Sequence, residues 1–443
     1  MSLTKDESRA LISKILAFSR ADECSVSIEG EDSANLRFAS NEVTTSGSTS
    51  NIVASITSSF GKRSGSASIN QFDDAALERT VRRSEETARF APEDPERMPM
   101  LGEQRFIEPG GFDEATAHAA PEVRALVAKR AIEVAKSRKV VAAGFFTNSG
   151  QYSAIGNSKG LFGFTRQSLA TFSSTARTAD GTGSGWAGSN SESIARFDPA
   201  ALAKTAVDKA FLSARPRSLE PGTYTTILEP AAVADLLQYM TFSLDARSSD
   251  EGRSFFAVRG GGNKIGQKVL SEQFSLSSDP GDPRLPAAPF TGEGFPTARV
   301  PWIEQGNVRN LGYSRFWAQK QNKEPVPFPQ NLIMAGGTGS VADLIKSTKR
   351  GVLVTRLWYI RFVDPQSILL TGLTRDGTFL VENGRIKYPV KNFRWNDSPI
   401  SVFSKMDAMS VAVRTRGSES EDFPIICPAI RTQFTFSSLS DAV

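Results

Sequence analysis

The chain has 443 residues, of which 39% are hydrophobic and 23% charged, the composition of an ordinary folded protein rather than a disordered or membrane one. Its length predicts two or three modules, and its formal net charge is only +4, without the basic run and interleaved aromatics of a nucleic-acid surface. One His and two Cys exclude a zinc site with two His ligands, and they also exclude a site built from four Cys ligands.

The few His and Cys residues also bear on chemistry and compartment. His118 is flanked by small residues with no carboxylate beside it, so we expect an ordinary surface residue rather than a catalytic base. Cys24 and Cys427 lie at opposite ends of the chain, and free thiols are typical of a reducing compartment. Residues 1–20 carry charges throughout, and no segment approaches about 20 consecutive apolar residues. We therefore expect a cytoplasmic protein.

The chain begins with a predicted order of helix, hairpins and helix. Thr4 and Glu7 have the spacing of a capping box, and apolar residues at helical spacing follow them. A second helix is predicted to begin at Asp73 or Asp74. Residues 31–33 are predicted to form a turn between the first two strands. The strands are predicted at residues 24–29, 36–43, 52–58 and 66–69.

The same order of elements then occurs again. One helix is predicted at about residues 122–136, and another at 200–213, where Asp198 is the expected N-cap and Pro199 takes the first helical position. The strands between these helices are predicted at residues 140–147, 152–156 and 163–178. No sequence identity links the two stretches, so we interpret them as similar in order only.

Residues 218–222 have the composition of a module boundary. We therefore predict an N-terminal domain at 1–218, made of modules at about 1–98 and 110–218, and a C-terminal domain at 219–443. The C-terminal domain opens with a predicted strand at 223–228 and a helix at 231–244, and beyond residue 280 it consists mostly of short strands. Asn383 and Gly384 predict a type I′ hairpin turn. The predicted fold class is α+β: N-terminal α/β modules with antiparallel strands and packing helices, followed by a β-rich C-terminal domain.

Three glycine-rich stretches resemble ligand-binding loops only superficially. Residues 183–188 match G-x-G-x-x-G, but no helix follows at once and the surroundings favour antiparallel strands, so we do not expect dinucleotide binding. Residues 260–266 contain a Lys but lack G-K-[ST], which favours a flexible turn. Residues 336–339 precede a short helix that Ser340 could cap, and an anion site there remains less favoured than a plain loop.

Asp245, Asp250 and Glu251 cluster after the helix predicted at 231–244. Paired carboxylates can carry out acid–base chemistry when burial separates their pKa values. Arg247 lies within the cluster, and a solvated helix end is the commoner arrangement.

Several stretches of the chain match, in order, the sequence elements of one known family. The C-terminal hallmark spans 350–390 and contains RGVLVTRL, VDP, LTGLTRDG, VENGRI and YPV. The central element is IGNSKG at 155–160, and FTGEGFPT at 290–297 is followed by IEQG at 303–306. CPAIR at 427–431 with FTF at 434–436 resembles the closing strands. Each stretch is modest alone, but their order covers nearly the whole chain. Together they resemble the TldD/PmbA family, peptidases formerly described as modulators of DNA gyrase.

The family contains two kinds of subunit. TldD-type chains carry H-E-x-x-x-H on a helix and bind a catalytic metal with a later Cys, whereas PmbA (TldE-type) chains lack these ligands. In the family register the motif positions fall near Gln238, Tyr239 and Ser243, and the metal Cys is expected near residues 413–417, earlier than Cys427. Gln, Tyr and Ser are poor zinc ligands, and no Glu remains to activate a metal-bound water. The resemblance therefore implies no catalytic residue and no metal in this chain.

The resemblance further implies a TldD-type partner that carries the zinc, in a heterodimeric metalloprotease that processes or degrades unstructured peptides. A homodimer also remains open, and neither a membrane nor a specific nucleic acid is expected. Such a chain would hold an extended peptide by β-addition to a sheet edge. The residues first considered for this edge are Leu370, Thr371, Gly372, Leu373 and Thr374. The alternatives are a stand-alone non-metal hydrolase using the acidic cluster, and a non-enzymatic regulatory or binding protein.

Overall fold

The computed structural model describes residues 3–420 and 423–440. In the first half of the chain, all six strands form one antiparallel sheet in the order β3-β2-β1-β4-β5-β6. The strands are β1 (Glu23–Ala39), β2 (Glu42–Phe60), β3 (Arg63–Ile69), β4 (Val141–Asn157), β5 (Phe162–Arg177) and β6 (Ser184–Ser191). The two predicted N-terminal modules therefore share a sheet, joined where β1 pairs with β4.

The helices of this half pack on one face of the sheet. They are α1 (Lys5–Phe18), α2 (Asp74–Phe90), α3 (Glu114–Ala117), α4 (Pro121–Ser137) and α5 (Pro199–Leu212), with a 3-10 turn at Ile194–Arg196. Val26 and Ile28 of β1 pack in the cluster that contains α1 and α2, and Phe38 packs in the cluster that contains α4 and α5. Alternate residues of a strand point to opposite sides, so the other face carries most of the polar residues of β1.

Two predicted breaks in the strands were wrong. Residues 31–33 lie within β1, which runs on to a two-residue turn at Ser40 and Asn41, both at positive φ. Glu31 and Ser33 of the supposed turn lie on the face of the sheet opposite the helices, where Glu31 accepts a hydrogen bond from Gln151 of β4. Similarly, β4 continues through residues 148–151. The side chain of Asn148 is buried there, where it accepts a hydrogen bond from Arg124 and donates one to the carbonyl oxygen of Thr116.

The second half of the chain contains two more sheets. The first has the strand order β10-β9-β8-β11-β18-β17, and the second has the order β12-β7-β19-β15-β13-β14. In the second sheet β12 also pairs with β13, so five of the six strands form a closed ring. Most pairs are antiparallel, as predicted, but β7–β12 and β11–β18 are parallel. The strands are β7 (Gly222–Leu228), β8 (Leu276–Ser278), β9 (Val300–Glu304), β10 (Asn307–Val308), β11 (Leu332–Met334), β12 (Arg350–Asp364), β13 (Leu369–Glu382), β14 (Arg385–Pro389), β15 (Phe393–Asp397), β16 (Ala408–Met409, paired with β19), β17 (Val413–Thr415), β18 (Ile425–Cys427) and β19 (Ile430–Leu439).

One helix lies at the centre of this half. The helices are α6 (Pro230–Thr241), α7 (Ala246–Asp250), α8 (Arg315–Gln321), α9 (Val341–Lys346) and α10 (Pro399–Ser404). Most of α6 is buried, and Leu236, Leu237 and Met240 share one core cluster with residues of both C-terminal sheets. Its nearly continuous apolar sequence is typical of a helix surrounded by protein. The ends of α6 are therefore held in fixed positions.

Local signals in the sequence were confirmed where they specify a cap or a turn. Thr4 and Glu7 form the predicted capping box, and Asp198 caps α5 with Pro199 in the first turn. Asn383 and Gly384 both have positive φ in the β13–β14 turn. None of the helices within residues 3–420 and 423–440 is long and apolar enough to cross a membrane.

The glycine-rich stretch at 183–188 serves close packing. A Cβ placed at Gly183 would lie 2.1 Å from the carbonyl oxygen of Ala210, and one at Gly185 would lie 2.1 Å from that of Ala206. Both carbonyls belong to α5. The two glycines beside and within β6 therefore let this helix approach the sheet directly, which gives the motif a structural role.

We predict that Gly185→Ala destabilises the protein by about 1–3 kcal/mol, because the added methyl group must push α5 away from β6. Gly47→Ala is the control, since the nearest atom to its Cβ is 3.7 Å away. The free energy of unfolding in urea measures both variants. Equal stability of the two would contradict the packing role of Gly185.

Candidate functional site

The helix α6 carries the positions at which the family resemblance places metal ligands. Pro230 occupies its first turn, directly after β7, and its last residue is Thr241. Gln238 and Tyr239 therefore lie in the last turn, whereas Ser243 lies beyond the helix, which is shorter than predicted. All three side chains are partly buried.

Tyr239 is held as a hydrogen-bonded aromatic side chain. Its hydroxyl donates to the carbonyl oxygen of Ile360 at 2.7 Å, and its ring lies edge-on to Phe242 and Phe362 at 6.1 and 5.2 Å between centroids. Burial raises its pKa, and the nearby Glu419 carboxylate raises it further. A phenol in this state is neither a metal ligand nor a general base at neutral pH.

The donor groups around the end of α6 do not fit zinc. Gln238 contributes an amide whose Oε1 is buried and has no hydrogen-bond partner among the described residues. Tyr239 is committed to a main-chain carbonyl, and Ser243 offers a hydroxyl. Structural and catalytic zinc sites use thiolate, imidazole and carboxylate ligands. Across residues 3–420 and 423–440, no group of three or more His, Cys, Asp or Glu side chains is placed to hold a metal ion.

A buried carboxylate occupies this region instead, and the sequence reasoning missed it. Asp235 is completely buried and lies one turn before Tyr239. It accepts hydrogen bonds from the N–H groups of Ser418 at 3.2 Å, Glu419 at 2.9 Å and Ser420 at 2.9 Å, and from the Ser418 hydroxyl at 3.1 Å. A single acidic residue in the apolar run of α6 was the available signal, because a buried carboxylate requires hydrogen-bond donors.

The loop at residues 417–420 is thereby fixed beside α6. A Cβ at Gly417 would lie 2.1 Å from the Asp235 carboxylate, so only glycine fits there. Glu419 accepts a hydrogen bond from the main-chain N–H of Tyr359 at 2.7 Å and lies 3.4 Å from the Arg361 guanidinium. The Asp235 carboxylate therefore joins α6, the loop and β12 in one hydrogen-bonded unit.

The two cysteines are buried and separate. The Cys427 thiol donates to the carbonyl oxygen of Pro230 at 3.3 Å, and burial raises its pKa strongly. Burial also raises the pKa of Cys24. Since the thiolate is the reactive and metal-binding form, neither residue is placed for nucleophilic chemistry. His118 is exposed, as predicted, although Glu114 lies 3.4 Å from it, a carboxylate that its immediate neighbours did not reveal.

The segment predicted as a peptide-binding edge is internal to its sheet, so that prediction was wrong. Its residues were Leu370, Thr371, Gly372, Leu373 and Thr374. In the structure, β15 pairs with this segment on one side and β12 pairs with it on the other, so it is not a free edge. The segment is internal because β13 pairs with both β12 and β15 where the ring closes. The order of strands along the chain does not specify these two pairings.

The acidic cluster does not form a catalytic pair. Asp245 caps α7. Asp250 accepts hydrogen bonds from the side-chain amide of Asn263 and from the indole N–H of Trp317. Glu251 accepts hydrogen bonds from Arg253 and Arg247. Both lower the pKa of Glu251, and Arg253 has the larger effect. Each carboxylate has its own structural partner, and no pair of them is buried together. This geometry gives no support to the stand-alone hydrolase hypothesis.

The other glycine-rich stretches are structural. Gly260, Gly261 and Gly262 have positive φ and form a turn, in agreement with the flexible-turn interpretation. Ser340 caps α9 through a capping box with Asp343, but α9 has only six residues. Cβ atoms at Gly336 and Gly337 would collide with the main chain of residues 409–412, so these glycines allow close packing.

We predict a distinctive pH dependence for Asp235→Asn. Burial raises the pKa of Asp235 from 3.8 to about 6 despite four hydrogen-bond donors. The folded protein therefore binds the proton more tightly than the unfolded chain, and the Asp235 contribution becomes more favourable as pH falls from about 6 toward 3.8, by about 3 kcal/mol at most. Asn cannot titrate, so the stability advantage of the native protein over the variant should increase over this range.

Unfolding free energies between pH 7 and pH 4 measure this difference. Asp343→Asn is the control, because hydrogen bonds from Ser340 lower the pKa of Asp343. Its contribution is lost only as pH falls below the ordinary Asp value. Parallel stability profiles for the native protein and Asp235→Asn would contradict the assignment of a raised pKa to Asp235.

Comparisons with solved structures show how widely this fold occurs. TldE from Thermococcus kodakarensis superposes with a TM-score of 0.86 at 18% identity, covering 98% of this chain and 99% of that one. A Thermotoga maritima protein described as a modulator of DNA gyrase gives 0.85 at 17%, covering 97% and 100%. A Bacteroides thetaiotaomicron protein with a similar description gives 0.83 at 18%, covering 99% and 100%. At these identities the likeness establishes the fold.

No curated protein sequence matches this chain. Sequence models of one family, however, match most of it. The PmbA/TldA metallopeptidase domain 1 matches residues 24–88, the central domain matches 112–213, and the C-terminal domain matches 221–438. These three matches follow one another in the family's order, and they include α6 and the loop that Asp235 holds. The chain therefore belongs to the PmbA/TldD family of metallopeptidases.

Proposed function

We propose that this chain is the zinc-free subunit of a heterodimeric TldD/TldE-type metalloprotease that processes or degrades unstructured peptides. The observation that carries the proposal is the end of α6, where Gln238, Tyr239 and Ser243 stand near the positions of the family's metal-binding motif. Those side chains supply an amide, a hydrogen-bonded phenol and a hydroxyl. In this proposal a TldD-type chain contributes the zinc and the group that activates water.

The Asp235 hydrogen bonds support this assignment. A metal site on α6 and the 413–417 segment would hold the two together by coordination. In this chain a carboxylate on α6 binds three consecutive N–H groups of the loop, so the arrangement does not require a metal for its stability. This is the behaviour expected of a subunit that retains the family fold and has a structural role in the complex.

An extended peptide can add to the outer edge of β12. β7 pairs with β12 only through Val352–Val354, and the loop at 417–420 contacts the next part of that edge. No strand among the described residues pairs with the outer side of residues 361–364, which are all exposed. Main-chain groups on such an edge bind an extended peptide without regard to its sequence, which suits varied unstructured substrates.

A patch of large apolar side chains lies beside this edge. We call it the aromatic patch; its members are Tyr239, Phe242 and Phe362, and the rings of both phenylalanines pack edge-on against Tyr239. Phe242 is 62% exposed and Phe362 is 38% exposed. Exposed apolar residues that cluster mark interaction sites more often than scattered ones do. We assign the patch to contacts with side chains of the bound peptide.

Mixing experiments test the subunit assignment. We expect this chain alone to show no peptidase activity, and activity to appear when it is combined with the TldD-type chain of the same organism. A chelator should abolish that activity, because the metal supplies the chemistry. Chelator-insensitive peptidase activity of this chain alone would contradict the proposal.

Phe242→Ala tests the aromatic patch. We expect the KM of the assembled peptidase for an unstructured peptide to rise several-fold, because the variant removes apolar contact with substrate. The free energy of unfolding should change by less than about 1 kcal/mol, since most of the side chain is already exposed. Phe90→Ala is the matched control, because Phe90 is 83% exposed and lies on α2 in the N-terminal half. An unchanged KM in Phe242→Ala, or an equal rise in both variants, would argue against the patch.

A further inference from the structure

An open cleft of about 660 Å³ lies at the end of β12. One wall is the glycine loop, by which we mean residues 257–264. The other walls are residues 250–252, at the end of α7, and residues 364–367, in the turn after β12; Gln366 joins them by donating to the carbonyl oxygen of Gly252 at 2.9 Å. Ser254 also lines the cleft and donates to the carbonyl oxygen of Ser243 at 2.9 Å. The cleft therefore adjoins both the end of α6 and the outer edge of β12.

Lys264 places a cation without an acidic partner in this cleft. Its ammonium group donates to the carbonyl oxygen of Phe255 at 2.6 Å and lies 3.7 Å from the centroid of the Phe255 ring. Burial lowers the pKa of Lys264, and no charged group within the described part of the chain contributes to that shift. An ammonium group has three N–H donors, so one is used and two remain for a ligand.

The carboxylates that line the cleft do not compete for this cation. Asp250, Glu251 and Asp364 each accept at least two hydrogen bonds from other groups. Arg259 is an exposed second cation of the cleft, and it forms no hydrogen bond or ion pair with the residues that the structure describes. The cleft thus combines carboxylates that are satisfied with two cations that lack an anion.

The glycine loop leaves space for a ligand. Added Cβ atoms at Gly260, Gly261 and Gly262 would meet no other atom within 4 Å. These glycines therefore do not serve close packing, in contrast to Gly183 and Gly185, which lie against α5. The side of the loop that carries Lys264 is accessible from the cleft.

We propose that Lys264 binds a carboxylate of the substrate peptide, with Arg259 as a second cation in the cleft. The inference rests on the proposed function, in which the peptide pairs with residues 361–364 of β12. Asp364 both ends that strand and lines the cleft, so the next residues of such a peptide enter the cleft. A carboxylate there forms charge-assisted hydrogen bonds, whereas a basic side chain would be repelled by two cations.

The carboxylate has two possible sources, which matched peptides distinguish. One unstructured sequence without acidic residues is made with a free C-terminus and with a C-terminal amide. The amidated peptide is also made with one Asp or with Asn at the same position, and the Asp is moved along the sequence. In the assembled peptidase, we expect the KM to be about tenfold lower for the peptide whose carboxylate reaches Lys264 than for its neutral match.

Lys264→Met tests the contact from the side of the protein. The variant keeps an aliphatic side chain and removes the charge, so it should abolish the KM difference between charged and neutral peptides while changing kcat little. Lys264→Arg keeps the charge and should retain the preference. Lys268→Met is the matched control, because Lys268 is 54% exposed, pairs with Glu272 and does not line the cleft. Equal KM values for charged and neutral peptides in the native protein, or an equal rise for every peptide in Lys264→Met, would overturn the inference.

Peptide binding to this chain alone separates the inference from the proposed function. Fluorescence anisotropy of the same labelled peptides requires no catalysis. Tighter binding of the carboxylate peptide that depends on Lys264, together with inactive mixed chains, would reject the subunit assignment and support the contact. Active mixed chains in which neither KM nor binding depends on the carboxylate would reject the contact alone.

Discussion

The geometry of the candidate site depends on the buried carboxylate of Asp235. The position of α6 is set by apolar packing on nearly all sides, but the loop at 417–420 has few apolar side chains to place it. Three main-chain N–H groups of that loop converge on one carboxylate, which is the arrangement that can satisfy a charge without water. Removing the acceptor would leave those donors buried and unpaired, which is why a helix residue controls the loop.

Under the proposed assignment as a zinc-free subunit, this interaction does the positioning that metal coordination would otherwise do. The loop held by Asp235 in turn contacts β12 through Ser418 and Glu419, so helix, loop and strand remain in register. The outer edge of β12 and the aromatic patch are positioned by the same contacts. We interpret the site as a preserved scaffold in which hydrogen bonding performs the positioning, while the partner proposed above supplies the chemistry.

Local features of this fold could be predicted from the sequence because each depends on a few adjacent residues. Thr4 with Glu7, Asp198 with Pro199, and Asn383 with Gly384 all form the predicted caps or turns. The errors occurred where distant segments decide the outcome. Residues 31–33 extend β1 because β2 and β4 pair along its whole length, and Leu370–Leu373 is internal because β12 and β15 flank it. The partners of Asp235 lie more than 180 residues away, so α6 alone shows only an isolated acid.

The zinc content of the purified chain tests the central claim most directly. Elemental analysis after dialysis into metal-free buffer, followed by incubation with excess zinc and removal of the unbound ion, reports zinc bound per chain. The account predicts far less than one zinc per chain, because an amide, a hydrogen-bonded phenol and a hydroxyl cannot compete with water and buffer for the ion. One tightly bound zinc per chain would contradict it, since the metal would then require ligands other than those at the end of α6.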